Sequence, residues 1–180
     1  DFSVRIYQKP GVKQACLDLQ DDYGLDVVFL FFCIWVGISR GEFEDGLYAK
    51  GAQFSTSWAT AVVVPLRGAR RWVGDLDAAQ MELRERIKAA ELDAERFQII
   101  TLEEFCSINE VKALESKDQL RACSNNIKRY CADAGVSLDE LAIKKHSLLL
   151  SKAIEGATIG LASSEMSIMG SLVSPEKMHG

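Results

Sequence analysis

The chain has 180 residues, 48% hydrophobic and 26% charged, with a net charge of −5 and an isoelectric point near 5.1. A length near the roughly 150 residues of one domain, with ordinary polar content, excludes a disordered or fibrous chain and predicts one soluble globular domain. The acidic balance argues against nucleic acid as the main partner, because neutralising phosphates needs a basic face.

Ser3 is placed to cap a short turn through Tyr7, and Pro10-Gly11 resets the chain. Val12, Cys16, Leu19 and Tyr23 recur at 4, 3 and 4, one face of a helix that Gly24 closes. Asp26 then stands where a carboxylate accepts the free N–H groups of a helix start. Val27 to Ile38, VVFLFFCIWVGI, carries no charge over twelve residues. A bilayer span needs about 20 residues and a strand is usually shorter, so the stretch predicts a helix apolar all round, enclosed by other helices. A buried strand is the alternative, and the helical neighbours argue against it.

Arg40-Gly41 ends that helix, and Glu42 to Gln53 reads as a loop with one short helix. Phe54, Trp58, Val62, Leu66, Ala69 and Val73 mark another helical face, kinked or split near Val64 because Pro65 interrupts it, and Gly74-Asp75 breaks the chain. Leu83, Ile87, Ala90, Ala94 and Phe97 repeat at 4, 3, 4 and 3, predicting a helix packed through that stripe. Ile99 to Leu102 fits either a strand or a helix junction. Leu120, Cys123, Ile127, Tyr130 and Ala134 mark a helix closed by Gly135, and Ser137 with Glu140 forms a capping box opening the next, through Leu138, Leu141, Leu148 and Leu149. The fold class is therefore all-α: a single-domain bundle of about six helices, up-and-down in character, around the central apolar helix 27–38. Residues 1–161 form the helical domain, and the Ser-, Met- and Gly-rich tail 162–180 is expected to be loosely ordered or docked on something.

Few residues suggest chemistry. Arg67, Arg70 and Arg71, at i, i+3 and i+4, put three guanidinium groups on one flank able to grip a phosphate or carboxylate. Equally, they can pair with acidic residues such as Asp18, Asp21, Asp22 and Asp26. Arg84, Lys88, Glu91 and Glu95 form a charged stripe, read as a solvated or interhelical salt-bridge face. Neither His146 nor His179 follows a Glu by three residues, so the helix-bundle metal pattern is missing and no metal is expected. His146 reads as a surface or partly buried side chain. No P-loop, G-x-G-x-x-G or G-x-S-x-G occurs, and no cofactor is expected. Cys16, Cys33, Cys123 and Cys131 fall at apolar helical positions as core thiols, and five unpatterned cysteines, Cys106 included, suit a reducing, cytoplasmic compartment. Trp35, Trp58 and Trp72 with neighbouring phenylalanines belong to the core or line an apolar pocket.

Phe2-Ser3, Tyr7, Pro10-Gly11-Val12, Ala15-Cys16-Leu17, Leu19-Gln20-Asp21, Gly24 and Asp26-Val27 make a recognisable block. With Pro65-Leu66-Arg67, Arg70-Arg71, Lys88, Glu91-Leu92 and Ala94-Glu95-Arg96, it resembles a mostly proteobacterial family of short proteins known only as a domain of unknown function. The resemblance covers about residues 2–105 and implies a cytoplasmic, mainly helical protein without an assigned activity. Members usually carry Asp-Val-Asn after the glycine, whereas Val28 stands at the Asn position here.

Two functions follow as expectations. The first is a non-enzymatic cytosolic interaction or regulatory module with a protein partner or a second copy, contacting through the salt-bridge stripe and the apolar C-terminal helix. The second is a binder or enzyme for an anionic small molecule held by Arg67, Arg70 and Arg71, with Glu91 or Glu95 as general base. Membrane association is not expected, since the tail lacks a basic amphipathic face.

Overall fold

The computed structural model describes residues 2–74, 80–106 and 113–168. Every regular element among them is helical: α1 (Phe2–Tyr7), α2 (Val12–Asp21), α3 (Val27–Ser39), α4 (Asp45–Trp58), a π-helical turn (Ala59–Val63), α5 (Val64–Gly74), α6 (Met81–Phe105), α7 (Ser116–Asp133), α8 (Glu140–Ala153) and α9 (Ile159–Ser167). The fold is an all-α single domain.

The uncharged run forms α3, and Phe29 through Ile34, Val36 and Gly37 are buried. Asp26 starts it as expected: its carboxylate accepts the N–H groups of Val28 at 2.9 Å and Phe29 at 3.4 Å. Phe29 sits at the centre of the core, with the rings of Tyr130, Phe32, Tyr48 and Phe43 at 5.0–6.5 Å. The principal neighbour of α3 is α7, far away in sequence, so the chain is not a simple up-and-down meander. The two backbones meet at Gly37, where an added Cβ would lie 2.5 Å from Cys123 Sγ and 2.7 Å from its backbone. Asn126 fastens the same contact, donating to the carbonyls of Cys33 and Gly41 and accepting from Phe43 N–H. Gly24, Gly41 and Gly135, the expected stops, adopt positive φ at the ends of α2, α3 and α7.

Several expectations shift on the structure. The loop with one short helix expected over 42–53 is mostly α4, which runs on to Trp58. The break near Val64 is a π-turn in which Val64 N–H bonds the Ala59 carbonyl five residues back. The extra residue carries the helical winding through to Pro65, which has no N–H to give. It also shifts the inward face beyond it, so Val63 is buried rather than Val62; within α4 the buried row is Tyr48, Gly51 and Ser55 rather than Phe54 and Trp58. The uncertain stretch around Ile99–Leu102 is the continuous last third of α6. The cap of α8 is Asp139, which accepts from Ala142 N–H at 2.8 Å, not Ser137. The tail expected from residue 162 begins inside α9, whose Ala162 and Met166 are buried against α7 and α8; residues 169–180 lie outside those described.

The stripe Leu83, Ile87, Ala90, Ala94 and Phe97 is not the packing face of α6. The buried positions are Glu91, Ala94, Gln98 and Leu102, while Leu83 and Phe97 are about half exposed. Helix α6 therefore turns a polar row inward and leaves apolar side chains outside.

Candidate functional site

The inward polar row of α6 has a physical cause in α5. The helices run antiparallel, so Arg67 meets Glu95 and Glu91 while Arg70, one turn later, meets Glu91. Arg67 Nε donates to Glu91 Oε1 at 3.0 Å and Arg67 Nη2 to Glu95 Oε1 at 2.8 Å. Arg70 Nε donates to Glu91 Oε2, and Arg70 Nη2 to Glu91 Oε1 at 3.3 Å. Both oxygens of Glu91, a residue 5% exposed, are thus engaged by guanidinium groups. Burial works against its charge, but the hydrogen bonds from Arg70 and Arg67 outweigh it and hold its pKa below the ordinary carboxylate range. The Glu91 bond in turn raises Arg70. Glu95 moves the other way: burial raises its pKa, and Arg67 only partly opposes that.

Next to this quartet lies a neutral-donor network around Asp26. Ser55 Oγ donates to Asp26 Oδ2 at 2.6 Å, and fully buried Gln98 donates Nε2 to both Asp26 Oδ2 and Ser55 Oγ. Asp26 N–H donates to the Tyr130 hydroxyl at 2.7 Å. One carboxylate thereby ties the start of α3 to α4 and α6, while its backbone amide reaches α7. Trp58 Nε1 adds a bond to the Ala94 carbonyl at 3.0 Å.

Two cavities flank the network and share Gln20, Asp26 and Arg67 in their walls. The larger, about 600 Å³, lies between the end of α2, the π-turn and the end of α7. The smaller, about 320 Å³, lies between α1, α2, the start of α3 and α6, with Tyr7, Phe31, Leu92 and Glu95 around it.

The structure thus brings Arg67, Arg70, Glu91 and Glu95 together, and places Arg71 apart, on Asp21 at 2.7 Å. Of the acidic residues weighed as arginine partners, only Asp21 serves; Asp18 takes Lys145 instead. An anion arriving at Arg67 or Arg70 would have to displace carboxylates already bound there. Glu91, doubly engaged and with a lowered pKa, is a poor proton acceptor; Glu95 borders the smaller cavity. His146 is fully buried, its Nδ1 2.8 Å from its own helix's Ala142 carbonyl. The tryptophans do not share a pocket: Trp35 stacks on Phe32, Trp58 lies 4.7 Å from Phe97, and Trp72 is largely exposed. Among the described residues no group of three or more His, Cys, Asp or Glu is arranged to hold a metal, and no helix is long and apolar enough to cross a membrane.

Sequence reasoning missed Ser55, Gln98, Tyr48 and Tyr130. Gln98 had a signal, since it lies two turns after Glu91 and so shares its face. Ser55 had none, because it shares its buried row in α4 with Tyr48 and Gly51 rather than with the apolar Phe54 and Trp58.

These features define an all-α protein organised around a buried ionic and amide network that joins five of its helices. Residues 1–102 match the model of a family described as a protein of unknown function (DUF2390), and the chain belongs to that family. The matched stretch holds Asp26, Ser55, Arg67, Arg70, Glu91, Glu95 and Gln98, whereas Tyr130 lies beyond it. No curated protein and no solved structure matches the chain.

Proposed function

We propose that the chain is a non-enzymatic protein-interaction module that works as a homodimer through the outer face of α6. The observation that carries this reading is the reversed amphipathicity of that helix. Its charged row is consumed internally by Arg67 and Arg70, and its surface exposes Leu83, Phe97 and Ile100 at 48–54%. Isolated exposed apolar side chains are ordinary, but a row of them along a helix that already has a polar inner side marks a contact surface. Phe97 extends the patch through Trp58 to Phe54, whose ring meets Phe105 at 5.7 Å.

The occupant that fits best is a second copy. Leu83, Arg86, Ala90, Asp93, Phe97, Ile100 and Glu104 recur at alternating 3 and 4, the seam of a paired helix. Set antiparallel about position 95, this row matches itself: Arg86 falls opposite Glu104 of the other copy, and Ala90 opposite Ile100. The two surfaces first expected to make contacts are unsuited to it. The charged stripe is paired within the chain, and Leu149 and Leu150 of α8 are buried.

Sedimentation equilibrium tests the proposal. A dimer is expected in the wild type at micromolar concentration, and a monomer with unchanged far-UV dichroism in Phe97→Glu/Ile100→Glu. A wild type still monomeric at about 100 µM, well above the micromolar Kd at the weak end for an interface of standard size, or a dimer indifferent to both substitutions, would overturn it.

A further inference from the structure

The larger cavity carries a second, independent assignment. Its wall presents three carboxylates, Asp21, Asp26 and Asp133, and two guanidinium groups, Arg67 and Arg71. Both cations are already held, Arg67 by Glu91 and Glu95 and Arg71 by Asp21. Asp26 is satisfied by Ser55, Gln98 and the amides of α3. Asp133, at the mouth, has no cationic partner among the described residues.

Tyr48 is the unusual member of the wall. Only 3% of it is exposed, and its buried hydroxyl is close enough to the Asp133 carboxylate to interact with it without reaching full hydrogen-bonding geometry. Its ring is fixed by edge contacts with Phe29 and Phe43 and by the Arg129 guanidinium 3.9 Å from its centroid, so the hydroxyl cannot swing to water. Burial, with Asp133 nearby, pushes its pKa up, so it stays a neutral phenol. A buried hydroxyl left unsatisfied costs about 1–3 kcal/mol, so one held short of full geometry costs part of that, and a donor bound between it and Asp133 would recover it. Helices α2 and α7 both end at this cavity, and helix C-termini add partial negative charge.

We propose that this cavity binds a small organic amine, whose ammonium N–H groups donate to the Asp133 carboxylate and to the Tyr48 hydroxyl oxygen. Leu25, Ala52 and Val63 line the space its alkyl chain would fill, and the volume of about 600 Å³ lies within the range of small-molecule sites. An anion is disfavoured because every guanidinium there is neutralised.

Isothermal titration of the full chain at 150 mM salt, with 1,4-diaminobutane and spermidine as probes, tests the assignment. Butane-1,4-diol and inorganic phosphate serve as the uncharged and anionic comparisons. Saturable amine binding is expected, with no binding of diol or phosphate, a loss of tenfold or more in Asp133→Asn and several-fold in Tyr48→Phe. Asp133 is exposed, so its substitution leaves folding intact, and Asp93→Asn on the outside of α6 controls for general attraction to an acidic protein. No saturable amine binding, preferential phosphate binding, or equal weakening by Asp93→Asn would each overturn it. Because none of these readouts concerns the oligomeric state, failure here leaves the α6 interface untouched, and the reverse holds.

Discussion

Replacing Glu91 with Gln isolates the ionic core of the site. The substitution keeps the side chain's size but removes a charge that is 7% exposed and answers Arg67 at 3.0 Å and Arg70 through two nitrogens. Removing one partner of a buried ion pair costs about 3–5 kcal/mol, because the other charge stays desolvated. Both arginines are only about a fifth exposed, so solvent screening relieves little, while Arg67 keeps Glu95; the lower end, about 3 kcal/mol, is expected. At this chain length each kcal/mol moves Tm by about 2–4 °C, which gives a fall of about 6–12 °C at pH 7 by calorimetry. The pH dependence follows from the lowered folded pKa of Glu91. Its stabilisation is complete above the unfolded carboxylate value and is lost as pH falls through the folded one, so the gap between wild type and Glu91→Gln narrows in acid. In Arg70→Met/Glu91→Met part of the loss returns, since Arg70 and Glu91 are both uncharged there while Arg67 keeps only Glu95. A Tm within 2 °C of wild type (about the shift from 1 kcal/mol or less), or a deficit unchanged down to pH 3, would refute the reasoning.

Gly37→Ala forces a methyl to within 2.7 Å of the Cys123 backbone, and thermal unfolding is expected to show a loss of at least about 1–3 kcal/mol. Gly46→Ala, on an open face of α4, should instead gain about 0.5–1 kcal/mol. Burial lowers the His146 pKa from 6.5 to about 4, so the unfolded chain takes up a proton that the folded one refuses as pH falls through that window. Stability there should drop by up to about 3 kcal/mol in the wild type and stay flatter in His146→Leu, followed by urea titrations from pH 7 to 4. All five cysteines are free and buried, with Cys16 and Cys131 pushed up to about 12 by burial. A thiol reagent should therefore label none rapidly in the native protein and five in guanidinium chloride.

What was legible in the sequence was whatever depends on local chemistry. The twelve uncharged residues of α3, its Asp26 cap and the glycine stops are set by side chains within a turn or so of their effect. The candidate site was legible in its parts but not in its pairing. Arg67, Arg70, Glu91 and Glu95 stood out as two stripes, yet nothing local says that an antiparallel crossing sets one upon the other. The packing face of α6 was misplaced for a related reason. Apolar periodicity marks the inward side only when the inner neighbour is apolar, and α5 offers arginines. Tyr48 and Ser55 gave no pattern, because a single polar side chain in a core is defined by what encloses it, and Gln98 was marked only by sharing the face of Glu91.

The π-turn before Pro65 gives the molecule a winding tolerance of zero at that point. Deleting one residue from 59–63 would restore ordinary coiling and leave every side chain of the ionic quartet in place by name. Each residue of an α-helix turns about 100°, however, so everything from Val64 to Gly74 would rotate by that angle and carry both guanidinium arms off their carboxylates. Length here behaves as information: one residue more than regular coiling requires is what aims the arginines.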